Sequence, residues 1–144
     1  MTEKAGKGTE STLVFRPCGR AFFVHYVAIA ICFLGPRINP EVGLPVWLGM
    51  VLGLILVAAV VYMRWGQEYQ VTLQGVSKVW RWTGRRQEIP WENLEEVLVR
   101  RGLTQTILRV GNVIIRDKSG GPGLFWFGLA DPKAVKAVIE ERGR

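Results

Sequence analysis

The stretch LPVWLGMVLGLILVAAVVY, residues 44–62, decides the architecture of this chain. It lies in an uncharged run from Val42 to Met63, long enough as a helix to cross about 30 Å of hydrocarbon. Its ends read as a bilayer boundary: Pro45 suits a first helical turn, Trp47 stands near one end, and Tyr62 and Trp65 stand at the other. As a helix of a soluble protein it would need cover on all sides, which the roughly 80 residues that follow cannot supply.

A second apolar segment, Ala21 to Leu34, precedes it, and Pro17 supplies a first helical position that gives it spanning length. No small-residue cleavage site follows, which argues against a signal peptide, and Gly35-Pro36-Arg37-Ile38-Asn39-Pro40 reads as a turn. The expectation is a transmembrane hairpin of helices over 17–35 and 44–63. Residues 1–16 form a short tail before it, the hairpin region extends over 17–66, and a β-rich domain follows over 67–144. Lys4, Lys7, Arg16 and Arg20 precede the first helix and Arg64, Lys78 and Arg81 follow the second, while the connecting loop holds only Arg37. By the positive-inside rule both termini are cytoplasmic.

Small residues suggest how the helices meet. Gly49 and Gly53 form a Gly-x-x-x-Gly pair, and Ala21, Ala28, Cys32 and Gly35 share a face of the first helix with His25. An ionisable residue inside a membrane is a functional candidate, and a haem or quinone site is its sharpest reading. His25 is the single histidine, however, and a bis-His haem would need a second. A helix-to-helix hydrogen bond or a place near the headgroups is the expectation, with no cofactor. Cys18 and Cys32, 14 positions apart on one helix, would be about 21 Å apart, too far for a disulfide.

The formal charge is +7, with 5 basic and 3 acidic residues up to Met63 and 14 and 9 beyond it. A basic domain beside an anionic leaflet is drawn to it, and tethering there argues against nucleic acid as a partner. Beyond Arg64 the pattern becomes a meander of short strands. Runs at 69–73, 78–82, 87–91, 95–101, 104–110, 112–116 and 124–128 make seven antiparallel strands, separated by turns rich in Gly, Pro and Asn. A helix capped by Asp131, with Pro132 at its first position and a stripe of Val135, Val138 and Ile139, closes the chain.

Four short motifs carry a resemblance: Tyr69-x-Val71-Thr72, Ile89-Pro90-Trp91-x-x-Leu94-Glu95-x-Val97, Val110-Gly111-Asn112-Val113 and Gly128-Leu129-x-Asp131-Pro132. In these the chain resembles bacterial pleckstrin-homology-like (PH-like) membrane proteins with two N-terminal transmembrane helices, over about its whole length. The resemblance implies a PH-like domain, a bacterial inner (cell) membrane location, and no general biochemical activity.

The residues point the same way. The second half lacks the histidine and cysteine that nucleophilic catalysis or a zinc site requires. Glu92, Glu95 and Glu96 sit among arginines and read as solvated salt links, and the loop at 120–123 lacks the Lys-Ser/Thr ending of a phosphate cradle. No catalytic residue and no metal ligand is assigned. Binding is a better fit: Trp80 and Trp82 share a face of one predicted strand with Lys78, Arg81, Arg85 and Arg86 along or beyond it, and Trp126 sits between two phenylalanines. This mixture suits an accessory protein that docks other membrane proteins or itself, with the glycine pair engaging a partner in the bilayer. The alternative is a module contacting anionic lipid headgroups. Membrane lipids are expected partners in both.

Overall fold

The computed structural model describes residues 11–144; Lys4 and Lys7 lie outside the described residues. A short strand, β1 (Leu13–Phe15), runs antiparallel to β2 (Gln67–Val71), with Leu13 opposite Val71 and Phe15 opposite Tyr69. Between these paired neighbours lie a 3-10 turn (Gly19–Phe22), α1 (Phe23–Ile38), a second 3-10 turn (Pro40–Val42) and α2 (Val46–Trp65). The helical hairpin is thus the connection of a β-hairpin. This corrects the expected tail at 1–16, whose last residues form a strand of the sheet. A three-residue strand is too short for alternation to reveal it.

Both helical segments, Gly19–Ile38 and Val46–Trp65, are 20 residues long with mean hydropathies of 1.7 and 2.5. At 1.5 Å per residue such a length spans about 30 Å. Only 11% and 17% of these apolar windows are buried, unlike the core helix of a soluble protein. The first helix is displaced from the expected 17–35: Pro17 precedes it, and Pro36, expected in the turn, lies inside its last turn. Proline there has no N–H for the carbonyl four residues back, that of Cys32. α2 packs onto this carbonyl: a β-carbon at Gly49 would lie 2.5 Å from the Cys32 oxygen and 2.9 Å from Pro36 Cγ, and one at Gly53 would lie 2.8 Å from the Phe33 ring. The glycine pair is buried within the hairpin, facing Cys32, Phe33 and Pro36.

The expected face of α1 is therefore only partly the contact face. Cys32 is on it and Ala28, one turn earlier, is half-buried, but Ala21 packs on Gly128 of the β domain and Gly35 meets only Ile31 of its own helix. His25 sets its ring edge-on to Phe22 at 5.8 Å, and its Nδ1 is buried without a hydrogen-bond partner. The expected helix-to-helix hydrogen bond is not made through that atom.

The β domain has two antiparallel sheets, β1-β2-β3-β4 and β5-β6-β7, with β3 Gly75–Trp80, β4 Arg86–Pro90, β5 Leu94–Arg100, β6 Gly111–Asp117 and β7 Leu124–Leu129. Among the described residues the strands number seven, but β1 takes the place of the strand expected at 104–110. That segment holds a short helix, α3 (Leu103–Ile107). Threonine and isoleucine there suggested a strand, yet local hydrogen bonds favour the turn: Gln105 Oε1 accepts from the Gly102 N–H at 3.0 Å and the Thr106 hydroxyl donates to the Gly102 carbonyl at 3.0 Å. The closing helix α4 (Pro132–Arg142) starts as expected, with the Asp131 carboxylate accepting from the Ala134 N–H at 3.2 Å. Its Val135 and Ile139 join Tyr69, Val71, Val76 and Ile89 of the first sheet and Val113, Ile115 and Trp126 of the second in one buried core.

Candidate functional site

The strand connections sort to two ends of the domain. At the hairpin end lie the β3–β4 turn, the β5–β6 connection with α3, and the β7–α4 turn. Three contacts fix this: the Arg81 N–H donates to the Gly66 carbonyl at 2.8 Å, the Cys18 N–H donates to the Gly128 carbonyl at 2.7 Å, and the Phe22 and Phe127 rings meet at 5.5 Å. At the far end the Trp91 indole donates to the Leu73 carbonyl at 3.0 Å and the Lys118 N–H to the Asn93 carbonyl at 2.8 Å.

Charge divides along the same axis. The hairpin-end connections carry Arg81, Arg85 and Arg86 in and beside the β3–β4 turn and Arg100, Arg101 and Arg109 in and beside the β5–β6 connection, all exposed. Arg16, Arg20 and Arg64 flank the helix ends. The far turns hold Lys118 against Glu92 and Asp117. Two carboxylates lie at this basic end: Asp131, exposed in the β7–α4 turn, and Glu68, 2.6 Å from Arg16 and 3.5 Å from Arg81. Aromatic side chains mark the junction: Trp82 is 60% exposed and stands edge-on to Tyr62 of α2 at 5.5 Å, while the Arg64 guanidinium lies over Trp65 at 5.4 Å.

The residues expected to form one surface separate into three environments. Arg81, Trp82, Arg85 and Arg86 are exposed at the hairpin end, with Arg86 3.2 Å from Glu88. Trp82 lies in the turn beyond β3 and does not share a strand face with Trp80. Trp80 is half-buried beneath two cations, Lys78 at 4.9 Å and Arg85 at 5.9 Å from its ring. Trp126, expected on the surface, is fully buried and stacks on Tyr69 at 5.2 Å, so it is core. The exposed member of that aromatic run is Phe125.

Lys78 also belongs to a structural set. β7 is an edge strand, and side chains of the other sheet cover its free polar groups. The Tyr69 hydroxyl accepts from the Phe127 N–H at 2.9 Å and Lys78 Nζ donates to the Phe125 carbonyl at 3.0 Å, while Gln87 Nε2 donates to the Pro122 carbonyl at 2.7 Å in the loop just before the strand. Burial pushes the Tyr69 phenol well above its ordinary pKa, opposed in part by that Phe127 hydrogen bond, and burial pulls the Lys78 ammonium below its ordinary value.

Two antiparallel sheets closed by a C-terminal helix define a PH-like domain, a class of generally non-catalytic binding modules. The family model for the bacterial PH domain matches residues 15–143, and the chain belongs to that family. The match takes in the helical hairpin as well as the strands on either side of it. No curated protein and no solved structure matches the chain.

Proposed function

We propose that this chain is a PH-like binding module anchored in the bacterial cell membrane by its helical hairpin, with both termini cytoplasmic, and that its basic end binds anionic lipid headgroups of the leaflet it faces. The observation that carries this reading is the gathering of arginines onto the end of the domain from which the hairpin emerges. A hairpin crossing the bilayer would hold that end within a Debye length, about 8 Å, of the headgroups. Each cation so placed contributes about 1 kcal/mol near an anionic surface. Guanidinium groups suit the phosphate geometry. Trp65 and Trp82 stand where interfacial indoles collect.

Docking of other membrane proteins is the less supported reading. Gly49 and Gly53 are already packed on α1, and Trp126 is in the core. The full chain in nanodiscs separates the two. Amide hydrogen exchange across 81–86 should slow when neutral lipid is replaced by a mixture rich in phosphatidylglycerol. Added salt should reverse the slowing, and Arg85→Glu with Arg86→Glu should abolish it. Equal exchange in neutral and anionic discs would overturn the headgroup reading.

A further inference from the structure

α3 is the most conspicuous feature outside the predicted surface. Leu103 and Ile107 are 89% and 81% exposed, the highest values among the large hydrophobic residues described. They stand four positions apart, on one face of the helical turn. Arg100, Arg101 and Arg109 flank them, all exposed. Two adjacent aliphatic side chains ringed by cations have the pattern of an interfacial, membrane-lying element rather than of scattered surface residues.

The element is held in place on the hairpin side. Gln105 Nε2 donates to Asn112 Oδ1 at 3.4 Å, and the same oxygen accepts from the Gly128 N–H at 3.0 Å. Gly128 in turn accepts from Cys18 at the start of the first helical segment. The base of the connection is fixed as well, because the Arg101 stem packs on Gly111 beside Pro132, with 2.7 Å and 2.9 Å to a β-carbon built at Gly111. Arg109 closes α3 with φ of +55°, a conformation that glycine adopts without strain and an arginine does not. The chain keeps a cation there at that expense.

We infer that α3 is a third membrane contact. Leu103 and Ile107 insert among the upper acyl carbons of the leaflet at the hairpin end, and Arg100, Arg101 and Arg109 rest on its anionic phosphates. The inference rests on the hairpin crossing the bilayer. It adds an apolar wedge, separate from the β3–β4 turn, that would fix the tilt of the domain against the surface.

The test uses the full chain with Cys18→Ser and Cys32→Ala, and one added cysteine carrying an environment-sensitive fluorophore. The variants are Leu103→Cys, Ile107→Cys, Lys118→Cys at the far end and Leu54→Cys in α2, reconstituted in phosphatidylcholine–phosphatidylglycerol vesicles. Positions 103 and 107 should emit to the blue of position 118 and be quenched by lipid carrying a spin label high on the acyl chain. Position 54 should be quenched by a deep label. Water-like emission at 103 and 107 with position 54 quenched would overturn the wedge and leave the hairpin intact. A blue shift at 103 without lipid quenching, as contact with a second copy would give, would also overturn it. Loss of quenching at position 54 would remove the hairpin reading and the wedge with it.

Discussion

Replacing Gly128 with alanine probes the joint between helices and domain. The backbone there has φ of +67°, and a β-carbon would lie 2.5 Å from Ala21 Cβ. Two costs follow. An L-residue in the left-handed region costs about 1–2 kcal/mol, and forcing a methyl group into a filled contact costs about 1–3 kcal/mol. Together Gly128→Ala should destabilise the protein by about 2–5 kcal/mol. The two parts separate by experiment, because Ala21→Gly removes the clash and leaves the backbone strain. A double-mutant cycle, followed by urea unfolding in mild detergent through the near-ultraviolet signal of the aromatic core, should return a favourable coupling of about 1–3 kcal/mol. The Cys18–Gly128 hydrogen bond should weaken in the single variant, seen as faster amide exchange at Cys18. Parent-like stability of Gly128→Ala, or strict additivity with Ala21→Gly, would refute the close approach of the first helical segment to β7.

In the hairpin, Gly49→Leu should lower the detergent melting temperature more than Gly53→Leu, because a side chain at 49 meets the fixed Cys32 carbonyl whereas one at 53 meets a Phe33 ring that can swing; the reverse order would show that a different helix face is used. Tyr69→Phe should cost about 1–3 kcal/mol in urea unfolding, since the part-buried Phe127 N–H loses its acceptor. The Tyr69 phenol keeps its proton in the native state when the unfolded chain loses it, so this contribution is complete below pH 10.0, the ordinary value, and falls away as pH rises past it. Tyr69→Phe should flatten that alkaline decline. Lys78 acts in the opposite sense: below its ordinary 10.5 the native state sheds the proton first, so stability rises with pH across that window, and Lys78→Met should remove the rise.

The long elements were legible because their signals are long. An uncharged run from Val42 to Met63 and the cap at Asp131 each carry several consistent marks, and α2 and α4 lie where those marks place them. Shorter elements escaped for physical reasons. β1 has three residues and exists because β2 offers it an edge, so pairing determines it and local pattern does not. A soluble fragment starting at Gln67 would therefore lack a strand of its own sheet. The segment 104–110 has the β-branched residues of a strand, but Gln105 and Thr106 bond back to Gly102 and hold a helical turn. Trp80 and Trp82 seemed to alternate, yet β3 ends at Trp80 and the chain turns towards the Gly66 carbonyl. Trp126 was expected on the surface, and is core instead, because alternation along Phe125-Trp126-Phe127 gives a period and not a direction. Of the hairpin-end cations, those in the β3–β4 turn were visible beside tryptophans. Arg100, Arg101 and Arg109 were missed because the strand assigned to 104–110 would have dispersed them, although the run of Arg-Arg-Gly-Leu ahead of Ile-Leu-Arg was an available amphipathic signal.

Thiol accessibility in intact bacterial cells tests the membrane anchor most directly. On the Cys18→Ser, Cys32→Ala background, Asn39→Cys places a thiol between the two helices and Lys118→Cys places one at the far end of the domain. A hairpin that crosses the membrane with the domain inside predicts that an impermeant maleimide added outside labels position 39, and labels position 118 only after lysis. Labelling of position 118 from outside, or equal protection of both positions until lysis, would contradict it.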